Sequence, residues 1–166
     1  MRPVLFLLLL SCTIGAFAQE TYADSLRSFR ENYIQTHEVV QGKDRSKMRF
    51  YPISRAYRVV ADFKKAENSQ WLSFPTSGKL TKIYRVYGTL SFVLDGHPLQ
   101  LQVYQSQDLL QRTEYQSYLF LPFTDVSNTD ESYEGGRYMD LAISAIQNNT
   151  VLLDFNKAYN PYCAYV

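Results

Sequence analysis

The residue of this sequence with the strongest potential for binding chemistry is an arginine near its carboxyl-terminal end. Arg137 follows two glycines, with Asp125 before it and Asp140 after it in the chain. A guanidinium between carboxylates can form a bidentate ion pair or receive an anionic ligand, because its donors form a planar fork. The pattern therefore predicts either a ligand-binding arginine or an ion pair that ties a loop to the end of a strand.

The loop before this arginine, residues 125–136, has the sequence DVSNTDESYEGG and concentrates side chains that carry oxygen. Calcium is the metal that such a loop would suit, but the loop lacks the central glycine and the final glutamate of an EF-hand. An irregular calcium site and a solvated acidic loop are the two interpretations left. We predict no resident metal and no cofactor.

A polar and aromatic turn over residues 154–160 could form another wall of the same pocket. Asp154 and Asn156 share one face if the preceding strand continues through them. Tyr159 and Asn160 follow, and the next residue is a proline, which favours an extended or turn conformation before it. A ligand pocket and a structural turn, in which the amides bind irregular backbone, both fit this pattern. The predicted ligand-binding residues are Arg137, Asp125, Asp140, Asp154, Asn156, Tyr159 and Asn160.

The chain carries none of the short motifs that identify common hydrolases or nucleotide-binding proteins. It has no Gly-x-Ser-x-Gly elbow, no phosphate-binding glycine loop and no Gly-x-Gly-x-x-Gly fingerprint. His37 and His97 lack the spacing of zinc ligands, so we expect both at the surface. Catalytic residues therefore stay unassigned, and it is open whether the protein is an enzyme.

Four segments resemble the signature of a prokaryotic family, the domain of unknown function 1684 family. They read FLPFTD (residues 120–125), YEGGRY (133–138), GRYMDL (136–141) and LDFNKAYNPYCAY (153–165). The resemblance implies no activity, because the family has none established. Thr124 and residues 128–131 depart from the family pattern, which leaves a role for this loop open.

The resemblance also implies that the chain is truncated at its carboxyl-terminal end. Family members continue past this motif into a proline-rich segment with another cysteine, whereas this chain stops at Val166. Cys163 would then have lost its disulfide partner. The alternative is that Cys163 is a buried and inert thiol.

The first residues have the pattern of a secretory signal peptide. A positive charge within residues 1–3 precedes an apolar run over residues 4–10, and Ala-Phe-Ala at 16–18 is a small-x-small cleavage site. We therefore predict that residues 1–18 are removed and that the protein is exported to the periplasm or the cell exterior. Cleavage before Cys12, as in a lipoprotein, is the alternative. The apolar run is shorter than the roughly 20 residues that cross a bilayer, so we predict no transmembrane segment.

Charge and composition set further limits. The chain has 17 Lys and Arg residues against 16 Asp and Glu residues, and loss of Arg2 with the signal peptide would make them equal. We therefore predict no binding to nucleic acid. The hydrophobic share of 46% excludes a disordered chain, and residues 19–166 are long enough for one domain.

One amphipathic helix is predicted over residues 21–37, packed as a lid on the rest of the protein. Thr21 and Asp24 have the spacing of a capping pair and mark its predicted start. Apolar residues recur along it at helical spacing. These residues are Leu26, Phe29, Tyr33 and Ile34.

Beyond Gly42 the apolar period changes to two, which predicts β-strands. The predicted strands are residues 57–63, 71–74, 83–87, 90–94, 99–103, 118–123, 139–143 and 151–155. Asp95-Gly96 and Asn148-Asn149 predict tight turns, and Gly88 predicts a bulge. About eight short strands and one amino-terminal helix predict a mostly β protein, folded as an antiparallel barrel or sandwich.

Two local predictions follow from alternation along the chain. Leu99, Leu101 and Val103 should point into the core from one strand. Residues 43–49 alternate Lys or Arg with other residues, which predicts a cationic face on a solvated edge strand.

The leading functional hypothesis is a binding module for a small polar or anionic ligand, with its pocket between the 125–137 loop and the 154–160 turn. A second hypothesis is a hydrolase that uses Asp125, Asp154 or Glu134 as acid or base. A third is a cell-envelope module that meets a protein partner through an exposed aromatic face. The sequence leaves the oligomeric state open.

Overall fold

One antiparallel sheet of seven strands forms the framework of the computed structural model, which describes residues 11–74 and 81–165 and the side chains of residues 21–74 and 81–165. Within these residues one α-helix precedes the sheet, and short 3-10 helices lie in the connections. The elements are α1 (Ser11–Thr36), β1 (Arg58–Lys65), β2 (Leu72–Phe74), β3 (Lys82–Leu94), β4 (His97–Ser106), β5 (Tyr118–Phe123), β6 (Arg137–Ala142) and β7 (Thr150–Asp154).

The strands lie in the order β6-β5-β4-β3-β1-β7, and β2 pairs with β3. The sheet curls into a half-barrel whose two free edges are β6 and β7. The prediction of a mostly β, antiparallel fold with one helix is confirmed. The count is seven rather than eight because the predicted strands 83–87 and 90–94 are one long strand, β3.

The long strand β3 is continuous through a bulge at the predicted glycine. The pairing register between β3 and β4 shifts between Val86 and Gly88. A Cβ atom on Gly88 would lie 2.3 Å from the ring of Phe63 and 2.7 Å from the carbonyl oxygen of Lys64. Only glycine therefore allows β1 to approach β3 this closely at the point where the sheet curls.

Both predicted tight turns are confirmed. Asp95 and Gly96 have φ angles of 51° and 76°, and the paired residues Leu94 and His97 flank them. Asn148 and Asn149 have φ angles of 50° and 59°. Aspartate, asparagine and glycine tolerate this left-handed region better than other residues, which is why these dipeptides favour hairpin turns.

The core fills the inner face of the half-barrel. Leu119 and Leu121 of β5 are fully buried, as are Leu90, Val103 and Leu153 on other strands. The inward orientation of Val103 is thus confirmed, but Leu99 is 43% exposed. Leu99 lies close to the β3–β4 turn, where the hairpin extends beyond the core.

Helix α1 packs over the chain segment that follows β7. Among the side chains of α1 that the structure describes, Leu26 is fully buried, at 2% exposure. The predicted helix from Thr21 lies within α1, which also includes residues 11–20 before it. Residues 1–10, within the predicted signal peptide, lie outside the described residues. No helix in the described part of the chain is long and apolar enough to cross a membrane.

The predicted cationic edge strand over residues 43–49 is also wrong. Gly42–Lys47 forms a 3-10 helix, closed by an ion pair of 2.7 Å between Asp44 and Lys47. Gly42 starts it with a φ of 55°. A turn of helix puts residues three apart side by side, so the oppositely charged pair stabilises the turn rather than a strand.

Gly136 fixes the start of β6 beside β5. Its φ is 97°, and a Cβ atom there would lie 2.6 Å from the carbonyl oxygen of Phe123. We expect Gly136→Ala to lower the free energy of unfolding by about 1–3 kcal/mol, because both strain and a backbone clash result. Urea denaturation measures the change. Gly135→Ala is the matched control: its Cβ would meet only the Tyr133 ring, which can move, and an equal loss there would contradict this assignment.

The two histidines differ. His97 is exposed as predicted, whereas His37 is half-buried, and its Nδ1 accepts hydrogen bonds from the backbone nitrogens of Val39 and Val40 at 3.2 and 3.0 Å. Burial lowers the pKa of His37, and the nearby Arg45 lowers it further. The folded protein therefore favours the neutral ring, which can accept these bonds.

This lowered pKa predicts a pH dependence of stability. The unfolded chain binds the His37 proton more readily, so the stabilisation is complete above the usual histidine pKa of about 6.5 and is lost as the pH falls through the folded value. We expect His37→Ala to flatten the decline in unfolding free energy between about pH 7.5 and pH 5.5. His97→Ala should leave the decline unchanged; an equal flattening would refute the role of His37.

Candidate functional site

Arg137 is held between two aromatic rings and one carboxylate. Its guanidinium carbon lies 4.8 Å from the ring centroid of Tyr51 and 5.2 Å from that of Phe123. Its Nη2 donates a hydrogen bond to Asp125 Oδ2, and its side chain is 15% exposed. Two ring contacts and an ion pair fix the orientation of the guanidinium, so it is preorganised.

Asp125 is ordered by its own loop as well as by the arginine. Its Oδ1 accepts hydrogen bonds from the backbone nitrogen and the hydroxyl of Ser127, the first at 2.8 Å. Burial alone would raise the pKa of Asp125, but the hydrogen bonds from Ser127 and Arg137 outweigh it, and the net effect lowers the pKa. Asp125 is therefore a stable anion whose charge offsets that of Arg137.

Asn128 holds the rest of the 125–136 loop together. Asn128 accepts a hydrogen bond from the Asp125 backbone nitrogen and donates to Ser132 Oγ at 3.1 Å and to the Tyr133 carbonyl at 2.7 Å. Among the residues that the structure describes, no group of three or more His, Cys, Asp or Glu side chains could hold a metal ion. The loop thus acts as a scaffold for Asp125.

A cavity of about 160 Å³ lies beside Arg137, and we call it the arginine pocket. Two buried polar atoms of its lining residues have no hydrogen-bond partner among the described residues, Arg137 Nε and Asn160 Oδ1. The lining residues are Arg49, Phe50, Tyr51, Pro52, Glu131, Ser132, Arg137, Ala158 and Asn160. A donor and an acceptor are therefore left unsatisfied beside one cavity, which is uncommon for buried groups.

Asn156 has a different role from Asn160. It is buried at 5% exposure, and its Oδ1 accepts a hydrogen bond of 2.8 Å from the Ser54 backbone nitrogen. Its Nδ2 donates to the Ser54 carbonyl at 2.8 Å, to Asp154 Oδ1 at 2.9 Å and to the Tyr22 hydroxyl at 3.1 Å. Its carbonyl oxygen accepts two bonds from Arg30. This residue joins α1, the segment before β1 and the end of β7.

Asp140 and Asp154 line a second, larger cavity of about 320 Å³, which we call the seam cleft because it lies between the free edges β6 and β7. The Tyr22 hydroxyl donates to Asp154 and lies 3.0 Å from each of its two carboxylate oxygens. Asp140 Oδ1 accepts the hydroxyls of Tyr118 and Tyr159 at 2.8 and 2.5 Å. The lining residues are Tyr22, Ser25, Leu26, Arg58, Met139, Asp140, Leu141, Ala142, Ala145, Leu152, Asp154 and Lys157.

The two tyrosines that bind Asp140 are firmly protonated. Burial raises the pKa of Tyr159 and of Tyr118, and the negative charge of Asp140 raises both further. Both hydroxyls therefore act as donors to Asp140 at neutral pH. Tyr159 also pairs with Tyr138 through two backbone hydrogen bonds of 2.8 and 2.9 Å, which attach the turn to β6.

The structure thus divides the seven predicted residues among three places. Arg137 and Asp125 form one ion pair, and Asn160 lines the same pocket as the arginine. Asp140 and Asp154 line the seam cleft, with Tyr159 bound to Asp140. Asn156 lies in a buried network between α1 and the turn. Three groups missed by the sequence analysis complete these sites: the ring of Tyr51 at the arginine pocket, and Tyr22 and Arg58 at the seam cleft.

Cys163 is a free thiol and is half-buried. A hydrogen bond with Cys163 raises the pKa of Tyr133 to about 12. The disulfide partner that the family resemblance implies stays a prediction.

Comparison with known proteins gives the family of this chain. The sequence model of a family described as "Protein of unknown function (DUF1684)" matches residues 44–166. The chain belongs to the DUF1684 family. A solved structure similar to this DUF1684 protein is the solution NMR structure of an uncharacterized protein of Haloarcula marismortui, with 28% sequence identity and a TM-score of 0.63 over 89% of this chain and 83% of that chain. A comparison with curated proteins finds no match.

The Asn156 network predicts a stability effect in this DUF1684 protein. We expect Asn156→Ala to lower the free energy of unfolding by at least about 1–3 kcal/mol, because the Ser54 backbone nitrogen loses its acceptor in a buried place. Chemical denaturation measures the loss. Asn32→Ala removes the same group from an exposed position of α1 and should change stability little. Equal effects of the two substitutions would show that the network contributes nothing.

Proposed function

We propose that this DUF1684 protein is an exported binding protein and that its arginine pocket takes a small ligand with a carboxylate group. The observation that carries the proposal is the unpaired Nε of Arg137 in a buried position beside the cavity. A buried donor without an acceptor costs about 1–3 kcal/mol, and a ligand oxygen would remove that cost. Asn160 Oδ1 offers a matching acceptor to a ligand hydroxyl or amine.

The charged groups around the pocket balance, so its preference for an anion comes from the free donor of Arg137 rather than from net charge. Arg49 and Arg137 line it, with Glu131 as the lining acid, and Asp125 balances the charge of Arg137 from outside the lining. Asp125 occupies Nη2 of Arg137 and leaves Nε for a further acceptor. The ion pair thus orients the guanidinium without using all of its donors, so a structural and a binding role coexist.

The size of the pocket favours a ligand of few atoms. Its volume of about 160 Å³ is below the roughly 300–1,000 Å³ of sites for drug-sized ligands. A short carboxylic acid fits this limit, and the rings of Tyr51 and Phe50 in the wall offer contact to its apolar part. The proposed ligand is therefore a small carboxylate rather than a nucleotide or an extended polymer.

Binding is better supported than hydrolysis. Of the carboxylates named for acid or base catalysis, Asp125 has a lowered pKa and is paired with Arg137. Asp154 accepts hydrogen bonds from Tyr22 and Asn156, and Glu134 is exposed on the loop. General acid catalysis at neutral pH needs a carboxyl with a raised pKa, whereas the pKa of Asp125 is lowered.

Export is part of this proposal and is supported by the amino-terminal pattern alone. The charge, the apolar run and the small residues at positions 16 and 18 form a signal peptide. Mass spectrometry of the protein from the cell envelope should find an amino terminus at residue 19. A lipid-modified Cys12 or an intact Met1 would contradict this assignment.

The proposal predicts a defined effect of Arg137 on ligand binding. We expect propionate and lactate to shift the backbone amide signals of Tyr51, Ser132 and Arg137 in NMR titrations, with lactate binding more tightly through its added hydroxyl. Arg137→Gln should weaken binding at least about tenfold, as expected for loss of a charged hydrogen bond. Propionamide, which lacks the charge, should bind more weakly than propionate.

The matched control is Arg112→Gln, which removes an exposed arginine paired with Glu114. Its binding should equal that of the unchanged protein. If Arg137→Gln unfolds the protein to the same extent that it abolishes binding, the arginine is only architectural. In that case Asn160→Asp gives the second test, because a carboxylate beside the ligand should repel propionate without removing the Asp125 ion pair.

A further inference from the structure

The seam cleft exposes the unpaired backbone of β6. Tyr138 directs its backbone nitrogen and carbonyl away from β5, since both bond to Tyr159. Backbone groups alternate in direction along a strand, so those of Asp140 and Ala142 point the same way. Ile143 confirms the alternation, because its nitrogen donates back to Ser117 at 2.8 Å. Asp140 and Ala142 line the seam cleft and have no strand partner on this side among the described residues.

The edge of β7, on the opposite side of the seam cleft, also exposes unpaired backbone groups. The Asn149 carbonyl accepts a hydrogen bond from Phe63, so residues of β7 in phase with Asn149 point towards β1. Leu152 and Asp154 are out of phase and point towards the seam. Both residues line the cleft. Two strand edges with free donors and acceptors therefore border one cavity, and such edges are templates for another extended chain.

Charged groups of both signs complete the walls of the cleft. Asp140 Oδ1 receives two tyrosine hydroxyls, and its Oδ2 receives no side-chain hydrogen bond from the described residues. Arg58 and Lys157 also line the cleft, and no carboxylate of the described residues forms an ion pair with either. The cleft thus has two anions and two cations: Asp140 is open to a ligand ammonium, Asp154 already accepts the Tyr22 hydroxyl, and Arg58 and Lys157 are available to a ligand carboxylate.

We propose that the seam cleft binds a short peptide with free termini in an extended conformation, as a strand added between β6 and β7. Its main chain pairs with the free edges, its ammonium group meets Asp140, and its carboxylate meets Arg58 and Lys157. Leu26, which is buried at 2% exposure, and Leu141 supply an apolar wall for one side chain. A volume of about 320 Å³ limits the peptide to a few residues.

This site is separate from the arginine pocket, because the two cavities share no lining residue. Loss of one function therefore leaves the other measurable. Arg137→Gln should leave peptide binding unchanged, and substitutions in the seam cleft should leave propionate binding unchanged.

The test is a titration of the full chain with the tripeptide Ala-Leu-Ala, followed by the backbone amide signals of Asp140, Ala142 and Leu152. We expect these signals to shift and their hydrogen exchange to slow. The same peptide methylated on the leucine nitrogen has the same charges but loses one main-chain donor, and we expect it to bind at least tenfold more weakly. No binding of the parent peptide at millimolar concentration, or equal affinity for the methylated peptide, would overturn the proposal.

Two further comparisons separate the main-chain contacts from the charges. Ala142→Pro removes a seam-facing donor and no ladder hydrogen bond, since proline is tolerated on an edge, and Ala142→Val keeps that donor. We expect the proline variant alone to lose peptide binding. If it fails to fold, the methylated peptide still tests the pairing. The acetylated and amidated tripeptide should bind at least tenfold more weakly than the free one, and equal affinity would overturn the assignment of its termini.

Discussion

A buried amide atom without a hydrogen-bond partner costs free energy, and Asn156 avoids that cost by binding three separate segments of the fold. The residue lies two positions after the end of β7, at the free edge of the sheet, and is 5% exposed. Its side-chain amide accepts a hydrogen bond from the Ser54 backbone nitrogen and donates one to the Ser54 carbonyl. Its backbone carbonyl oxygen accepts two hydrogen bonds from the Arg30 guanidinium. The position of α1 over the open side of the half-barrel therefore depends on a few polar contacts as well as on the burial of Leu26.

The segment anchored in this way also separates the two cavities. It leaves β7 at Asp154 and reaches β6 at Tyr159, where two backbone bonds to Tyr138 attach it. Asp154 and Lys157 line the seam cleft, whereas Ala158 and Asn160 line the arginine pocket. One short stretch of chain thus contributes to both cavities, which explains why it is dense in polar and aromatic residues. The cavities nevertheless differ in chemistry, since one presents an unpaired arginine nitrogen and the other presents strand edges.

The architecture was largely predictable from sequence because its signals are local. Strand alternation, the Asp95-Gly96 turn and the bulge at Gly88 depend on neighbouring residues, and all three appear in the structure. The failures also have local causes. The alternation of residues 43–49 matched a strand, but an ion pair between residues three apart stabilises a 3-10 helix there. Leu99 has the alternation of an inward residue, but it lies close to the β3–β4 turn and is 43% exposed.

The candidate sites were less predictable because they depend on distant contacts. The pairing of Arg137 with Asp125 and the location of Asn160 beside it follow the sequence hypothesis closely. The contacts of Tyr51 with Arg137 and of Tyr22 with Asp154 join segments far apart in the chain, so no local sequence pattern predicts them. Asp154 and Asn156 were expected to share one open face. Instead, β7 ends at Asp154 and a 3-10 turn follows, which buries the side chain of Asn156.

The incomplete closure of the sheet has a mechanical consequence. In a closed barrel, a change in diameter breaks ladder hydrogen bonds around the ring. Here β6 and β7 form no ladder with each other, and they are joined through the 143–149 connection, the 155–159 segment and the helix above it. The gap between them can widen or narrow by bending these two connections while every strand pair stays intact. The two edges of the sheet can therefore move relative to each other, with the chain segments at residues 143–149 and 155–159 as the hinges.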